Sequence, residues 1–308
     1  MISNDHQNRS LWVVLGAFLA AAAFVGCGQS EPGGPSTTLS ITRDFGTAAV
    51  GRQRIVPVTS GLTAMRQLQR TAKVDATYGG RFVNSIDGVK GGGGRDWLFY
   101  VDGVESEIAA NDWRLNGGET VQWDFHAWQE VKTGGAIVGA FPQPLKARGV
   151  KLNCVPASGV PCDTVTGALR AEQINTDASG AEPVTVHVGT WSEINGNEGV
   201  PDLTELAADN GAFASFSRDG KQLTIVDDRG GEAQTLENSA GLIAANREGD
   251  RIVWLVTGVD EQGVLNAASS LNTAALTNRF ALAVTLQGPL SLPRPSRTDG
   301  QNGEDATP

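Results

Sequence analysis

Between residues 38 and 128, apolar and polar positions alternate in short runs closed by turn dipeptides, the pattern of half-buried strands. Leu39 and Ile41 alternate with polar neighbours, and Arg54-Ile55-Val56-Pro57-Val58 is a second candidate that Pro57 places at a sheet edge. Ser60 then reads as the cap of a helix from Leu62 to Thr71. Leu62, Met65, Leu68, Gln69 and Ala72 recur at helical spacing, with Arg66, Gln67 and Arg70 on the outer face. Further strands are expected at Phe82 to Ile86, closing on Asp87-Gly88, and at Trp97 to Val101, closing on Asp102-Gly103. In Glu119 to Phe125, Val121, Trp123 and Phe125 share one face, and Thr120, Gln122 and Asp124 the other. One helix against a mixed sheet is a β-grasp-like module.

From about Pro142 the pattern changes. Val150 to Cys154 reads as a strand, Asp163 as the cap of a helix carrying Val165, Ala168 and Leu169, and Val184 to Gly189 as the next strand. Phe213 to Ser217 and Gln222 to Val226 flank a turn as a hairpin. Ile252 to Gly258 is an apolar run, Asp260 opens a helix with Val264, Leu265, Ala268 and Leu271, and Phe280 to Val284 closes the series. The expected fold class is α+β. The module of residues 38–130 is followed by a linker, 131–149, and a small α/β domain, 150–292.

Several pieces of the first region occur in an order that resembles the C-terminal β domain of the transcobalamin and intrinsic factor family, found also as a bacterial cell-surface module. They are Leu39-Ser40-Ile41-Thr42-Arg43, the Leu62 to Thr71 helix, Phe82 to Gly88, Trp97 with Tyr100-Val101-Asp102-Gly103, and Leu115-Asn116-Gly117-Gly118-Glu119-Thr120-Val121. The resemblance implies a β domain that closes over one face of cobalamin, with contacts at the positions of Gly91, Gly92, Gly93, Gly94, Arg95 and Trp97. The family's large helical barrel, which supplies the rest of that pocket, has no counterpart here, so the module implies one wall only.

The first residues make a weakly positive start, with Arg9, followed by an apolar run from Leu11 to Gly26 that is short for a stable span and has the layout of a signal peptide. Phe24-Val25-Gly26-Cys27 resembles a bacterial lipobox, with Phe24 in place of the usual leucine, and implies a lipidated Cys27. Residues 28–37 are polar and rich in Gly and Pro, a flexible tether, and residues 293–308 are expected to form a disordered tail. The expected location is outside the cell, on the outer face of the membrane and anchored by lipid. A formal net charge of -10 excludes binding to nucleic acid or to an anionic lipid surface through charge. In an oxidising compartment Cys154 and Cys162 are the natural disulfide pair. Redox or zinc roles are poorly supplied, since the histidines are only His6, His126 and His187.

Candidate chemistry is sparse. Gly91 to Gly94 lacks the Gly-Lys-Ser/Thr ending and following helix of a phosphate loop, and reads as a mobile lip or a loop that orders on a ligand. Val256-Thr257-Gly258-Val259-Asp260 is a strand-to-helix junction, read as an ordinary capped helix or as an anion site. Asp124, His126 and Trp128 project from one side of a continuing strand, either as a ligand rim or as an exposed sheet face leading into the linker. Trp97, behind the glycine loop, is the tryptophan expected to face a ligand, while Trp191 and Trp254 are expected in a core. No catalytic set, metal site or cofactor site is expected. The sequence therefore predicts a non-enzymatic tethered protein that binds a small ligand, a corrinoid or another micronutrient, through Gly91 to Arg95, Trp97, His126 and Trp128, and passes it to a membrane transporter. The alternative is an envelope adhesion module that binds a protein or polymer.

Overall fold

A computed structural model describes residues 34–156, 159–178, 182–205 and 210–296. The predicted leader, Cys27, most of the tether and most of the tail lie outside these residues. No helix among the described residues is long and apolar enough to cross a membrane.

The first lobe contains β1 (Ser36–Arg43), β2 (Ala48–Ala49), β3 (Arg54–Pro57), α1 (Ala64–Gln69), β4 (Val74–Thr77), β5 (Phe82–Ile86), β6 (Val89–Lys90), β7 (Arg95–Val101), β8 (Val104–Glu105) and β9 (Thr120–Ala127). Its main sheet runs β2-β1-β9-β7-β8, with β3 also on β1, and β4-β5-β6 form a separate meander. β1 and β9 are parallel and in register from Thr38 opposite Thr120 to Arg43 opposite Phe125. Strands far apart in sequence thus form the centre of the sheet. α1 and the meander cover one face, where Leu62, Met65, Leu68, Val83 and Ile86 pack on Leu39, Val121, Trp123 and Phe125. The helix starts one turn later than Ser60: Thr63 is the cap, its hydroxyl accepting from the Arg66 amide at 3.2 Å. Gln67 is fully buried and Gln69 exposed, the reverse of the expected assignment, because the Gln67 amide donates to Thr37 Oγ1 at 2.6 Å.

The second lobe contains α2 (Leu145–Arg148), β10 (Val150–Cys154), α3 (Val160–Ala171), β11 (Val184–Thr190), α4 (Trp191–Ile194), β12 (Ala214–Phe216), β13 (Leu223–Val226), β14 (Glu232–Leu236), β15 (Gly241–Glu248), β16 (Arg251–Gly258), α5 (Glu261–Ser269), α6 (Thr273–Leu276), β17 (Ala281–Thr285) and β18 (Gly288–Leu292). Its main sheet runs β10-β11-β16-β15-β17-β18. β10, β11 and β16 are parallel, and the remaining pairs are antiparallel. α3 and α5 cover one face through Val165, Leu169, Val264 and Ala268, while the three-stranded sheet β12-β13-β14 lies on the other. Asp260 caps α5 as expected, accepting from the Gly263 amide at 2.7 Å. Asp163 instead lies inside the first turn of α3, which begins after Gly159. Cys154 at the end of β10 is bonded to Cys162 in that turn. Trp191 and Trp254 are core residues.

The expected α+β class, with a helix-backed sheet as its first half, is corrected. Among the described residues the fold is β-rich, with 39% in strands arranged in four sheets and 15% in helices. The physical reason is local. α1 has only six residues, and the short, weakly patterned runs Val74–Thr77, Val89–Lys90 and Val104–Glu105 gain their pairing from neighbouring strands rather than from alternation.

The described residues form one compact unit. Phe45 and Tyr100 of the first lobe share a core with Phe213, Phe280 and Leu242 of the second. The segment from Val131 to Leu145 runs between the lobes with Val131, Ile137, Val138, Phe141 and Leu145 buried.

Candidate functional site

Both faces of β9 are buried. Val121, Trp123 and Phe125 pack inside the first lobe, and the opposite face, with Gln122, Asp124 and His126, turns to the second lobe. Gln122 Nε2 donates to the Asn278 carbonyl at 3.0 Å, and Phe280 packs edge-on to the rings of Phe45, Tyr100 and His126. Asp124 is fully buried; Thr42 Oγ1 at 2.6 Å, the Phe45 amide at 3.0 Å and the Gly46 amide at 2.8 Å donate to it, and His126 Nδ1 lies 2.7 Å from Oδ1. A buried charge is tolerable only when satisfied in this way. Among the alternatives left open for Asp124, His126 and Trp128, the exposed sheet face does not form.

At the end of this face an open pocket of about 640 Å³ is lined by Asp96, Trp97, Leu98, His126 and Trp128 from the sheet. Phe82 and Glu105 add to the rim, and the strap Val131-Lys132-Thr133-Gly134-Gly135 forms the opposite wall. That volume lies within the roughly 300–1,000 Å³ common for small-molecule sites. His126 is only 1% exposed, its ring held 4.4 Å from Phe45, and Nδ1 is committed to Asp124. Trp128 is 44% exposed, with its indole N–H donating to Asp96 Oδ2 at 3.2 Å.

Trp97 reaches the pocket only by its residual surface. It is 7% exposed, its indole N–H donates to the Val89 carbonyl at 3.0 Å, and its ring tilts against Phe125 at 5.3 Å. Gly91 to Gly94 do not line the pocket and do not form a lip. Gly92 and Arg95 exchange two backbone hydrogen bonds, 2.8 and 3.2 Å, around Gly93 and Gly94 at φ 63° and 79°. Two consecutive positive φ values define the tight hairpin turn for which glycine is suited. The Gly94 carbonyl accepts from the Trp128 amide at 3.4 Å, so the turn backs the pocket's aromatic wall. Arg95 lies beside the pocket, paired with Asp44 and stacked 4.8 Å over the Phe125 ring.

The strap is what sequence reading missed, because Lys-Thr-Gly-Gly reads as linker. It is fixed on both sides: the Glu105 amide donates to the Gly135 carbonyl at 3.0 Å, and the Arg247 amide of the second lobe to the Gly134 carbonyl at 2.9 Å. A Cβ on Gly134, at φ 56°, would meet Gly211 Cα at 2.9 Å. Thr133 donates to Glu105 Oε2, and the fully buried Tyr100 phenol is pushed well above its usual pKa, first by burial and then by the Glu105 charge. A separate cleft of about 250 Å³ between the lobes contains Asp102, Arg148 and Arg247. Burial raises the Asp102 carboxyl to about 6, against the hydrogen bond from the Thr120 amide at 2.8 Å. No group of three or more His, Cys, Asp and Glu side chains suited to a metal ion occurs among the described residues.

Residues 61–127 match a family described as a domain of unknown function (DUF4430), which covers less than half of the chain. No curated protein matches. Among solved structures, the chain is similar to a protein described as a "putative metal binding protein" from Ruminococcus gnavus ATCC 29149, at 8% identity and a TM-score of 0.24, over 30% of this chain and 97% of that one. None of these matches confirms the transcobalamin-like resemblance.

Proposed function

We propose that this is an exported, non-enzymatic protein, tethered through a lipid on Cys27 to the outer face of the membrane, that binds a small ligand in the His126 pocket and delivers it to a transporter. The observation that carries the binding role is a buried imidazole, fixed by Asp124 and by aromatic rings, at a pocket whose other wall is an anchored strap. Of the contacts that the sequence resemblance implied, Gly91 to Arg95 and Trp97, only Trp97 borders this pocket, and the strap is its opposite wall. The export and anchoring parts of the proposal rest on the apolar leader and the lipobox-like Phe24 to Cys27.

Isothermal titration of the purified protein with cobalamin and cobinamide tests the corrinoid reading. Heat at micromolar concentrations, lost on Trp128→Ala, supports it, and no heat with either compound removes corrinoids as ligands. The adhesion reading draws support from Tyr78, Phe82 and Ile108, which are 83%, 47% and 49% exposed on the same lobe. It predicts binding to envelope polymer that survives Trp128→Ala and is lost on Tyr78→Ala.

A further inference from the structure

We infer that the occupant of the His126 pocket is an aromatic small molecule that carries a hydrogen-bond donor, an aryl N–H or O–H in chemical class, and that the donor bonds His126 Nε2. The inference rests on the pocket being the ligand site and narrows what that site accepts.

Each oxygen of the Asp124 carboxylate already accepts from a backbone amide, Oδ1 from Phe45 and Oδ2 from Gly46. The remaining contact at Oδ1, 2.7 Å from His126 Nδ1, is then satisfied by a hydrogen on Nδ1. In the neutral ring, Nε2 is then a lone pair, and the tautomer is set by the partner on the other nitrogen. Nε2 has no hydrogen-bond partner among the described residues, although the ring is 1% exposed and lines the pocket. Phe45 and Phe280, at 4.4 and 5.3 Å, keep the ring from turning toward bulk water. An occupant that fills the pocket without a donor therefore leaves this acceptor buried and unpaired, which is costly. Trp128, Phe82 and Leu98 give the lining an aromatic and apolar side that suits a flat ring, while Asp96, Glu105, Lys132 and Thr133 also line the pocket.

The test uses indole and 1-methylindole, which have nearly the same shape and differ in the N–H. Affinities come from ligand-observed NMR titration of the whole protein at pH 8, and the ¹⁵N signal of the His126 side chain is followed in parallel. The expected result is indole bound roughly 3- to 10-fold more tightly, the range of one net hydrogen bond, with the Nε2 resonance moving for indole and not for 1-methylindole. Equal affinity, or tighter indole binding without movement of Nε2, overturns the donor inference and leaves the pocket as a ligand site. Failure of both probes to perturb either His126 or Trp128 at millimolar concentration overturns the pocket reading, and this inference with it. His126→Phe should abolish the preference. Because that substitution also takes a donor from Asp124, the wild-type spectra decide the question if the variant does not fold.

Discussion

The interior of the first lobe and the interface it shares with the second are both closed to water, by different chemistry. Inside the lobe, Leu39, Leu68, Val121 and Trp123 meet around a buried and uncharged hydrogen bond, Gln67 to Thr37. At the interface, Asp124, His126 and Gln122 are buried among Phe45, Phe213 and Phe280. Apolar packing is non-directional and tolerates exchange of similar side chains. A polar network fixes individual atoms, because each buried donor or acceptor must find its partner. The pocket opens at the edge of the second kind of surface, where the His126 ring is held between Asp124 and the aromatic side chains.

The largest effects should follow from breaking that interface. Phe280 is fully buried against rings from both lobes, and Phe280→Ala should cost about 3–5 kcal/mol. Leu68→Ala, fully buried inside the first lobe, should cost about 2–5 kcal/mol. Calorimetry separates the two. A core shared between lobes predicts a single transition in the wild type, broadened or split by Phe280→Ala and merely shifted by Leu68→Ala. Two transitions in the wild type would show that the interface couples the lobes weakly.

Gly134→Ala comes next and acts on the strap alone. The residue sits at φ 56°, where a non-glycine residue costs about 1–2 kcal/mol, and its Cβ would press on Gly211. With the clash included, about 2–4 kcal/mol is expected. Because the strap is the pocket wall supplied by neither strand, indole binding should weaken more than tenfold in the fraction that remains folded. Unchanged binding would mean that the sheet face alone holds the ligand.

What the sequence made legible follows the same division. Alternation correctly placed Val121, Trp123 and Phe125 in one core, since apolar side chains announce their own burial. It did not place Gln122, Asp124 and His126. Polar residues on a strand normally face solvent, and the groups that satisfy Asp124 come from Thr42, Phe45 and Gly46, about 80 residues earlier in the chain. Gly91 to Gly94 read as mobile from composition, whereas the register of Gly92 with Arg95 made them a turn. The strap read as a linker for the same reason: glycine content reports freedom in the unfolded chain, not the contacts that remove it. Trp97 was singled out for its place behind the loop, while the more exposed Trp128 is the indole with surface to spare.

Asp102 offers a smaller test in the cleft between the lobes. Its folded pKa, about 6, lies above the ordinary 3.8, so the folded protein prefers the protonated acid. Stability from this group is then greatest below about pH 4, falls as pH rises toward 6, and is level above that. Asp102→Asn mimics the protonated form, keeps an oxygen for the Thr120 amide, and suits the residue's φ of 53°. It should gain about 2 kcal/mol at pH 7.5 and almost nothing at pH 3.5, read from denaturant midpoints. An equal gain at both values would place the effect in packing rather than in charge.

The smallest effect on stability, and the sharpest on function, is expected at Trp128. Nearly half of this side chain faces solvent, and its one side-chain hydrogen bond is to Asp96. Trp128→Ala should shift stability by less than about 0.5 kcal/mol, as for other surface positions. Its ring nevertheless forms the outer wall of the pocket, where an aromatic anchor contributes more to binding than to folding. Indole affinity should fall at least about fivefold with the melting temperature unchanged. Trp97→Ala should behave oppositely, losing about 3–5 kcal/mol of stability because its ring is packed on Phe125 inside the lobe. If Trp97→Ala instead abolishes binding at constant stability while Trp128→Ala does nothing, the ligand enters from the apolar core side of the sheet, and the polar interface is structural only.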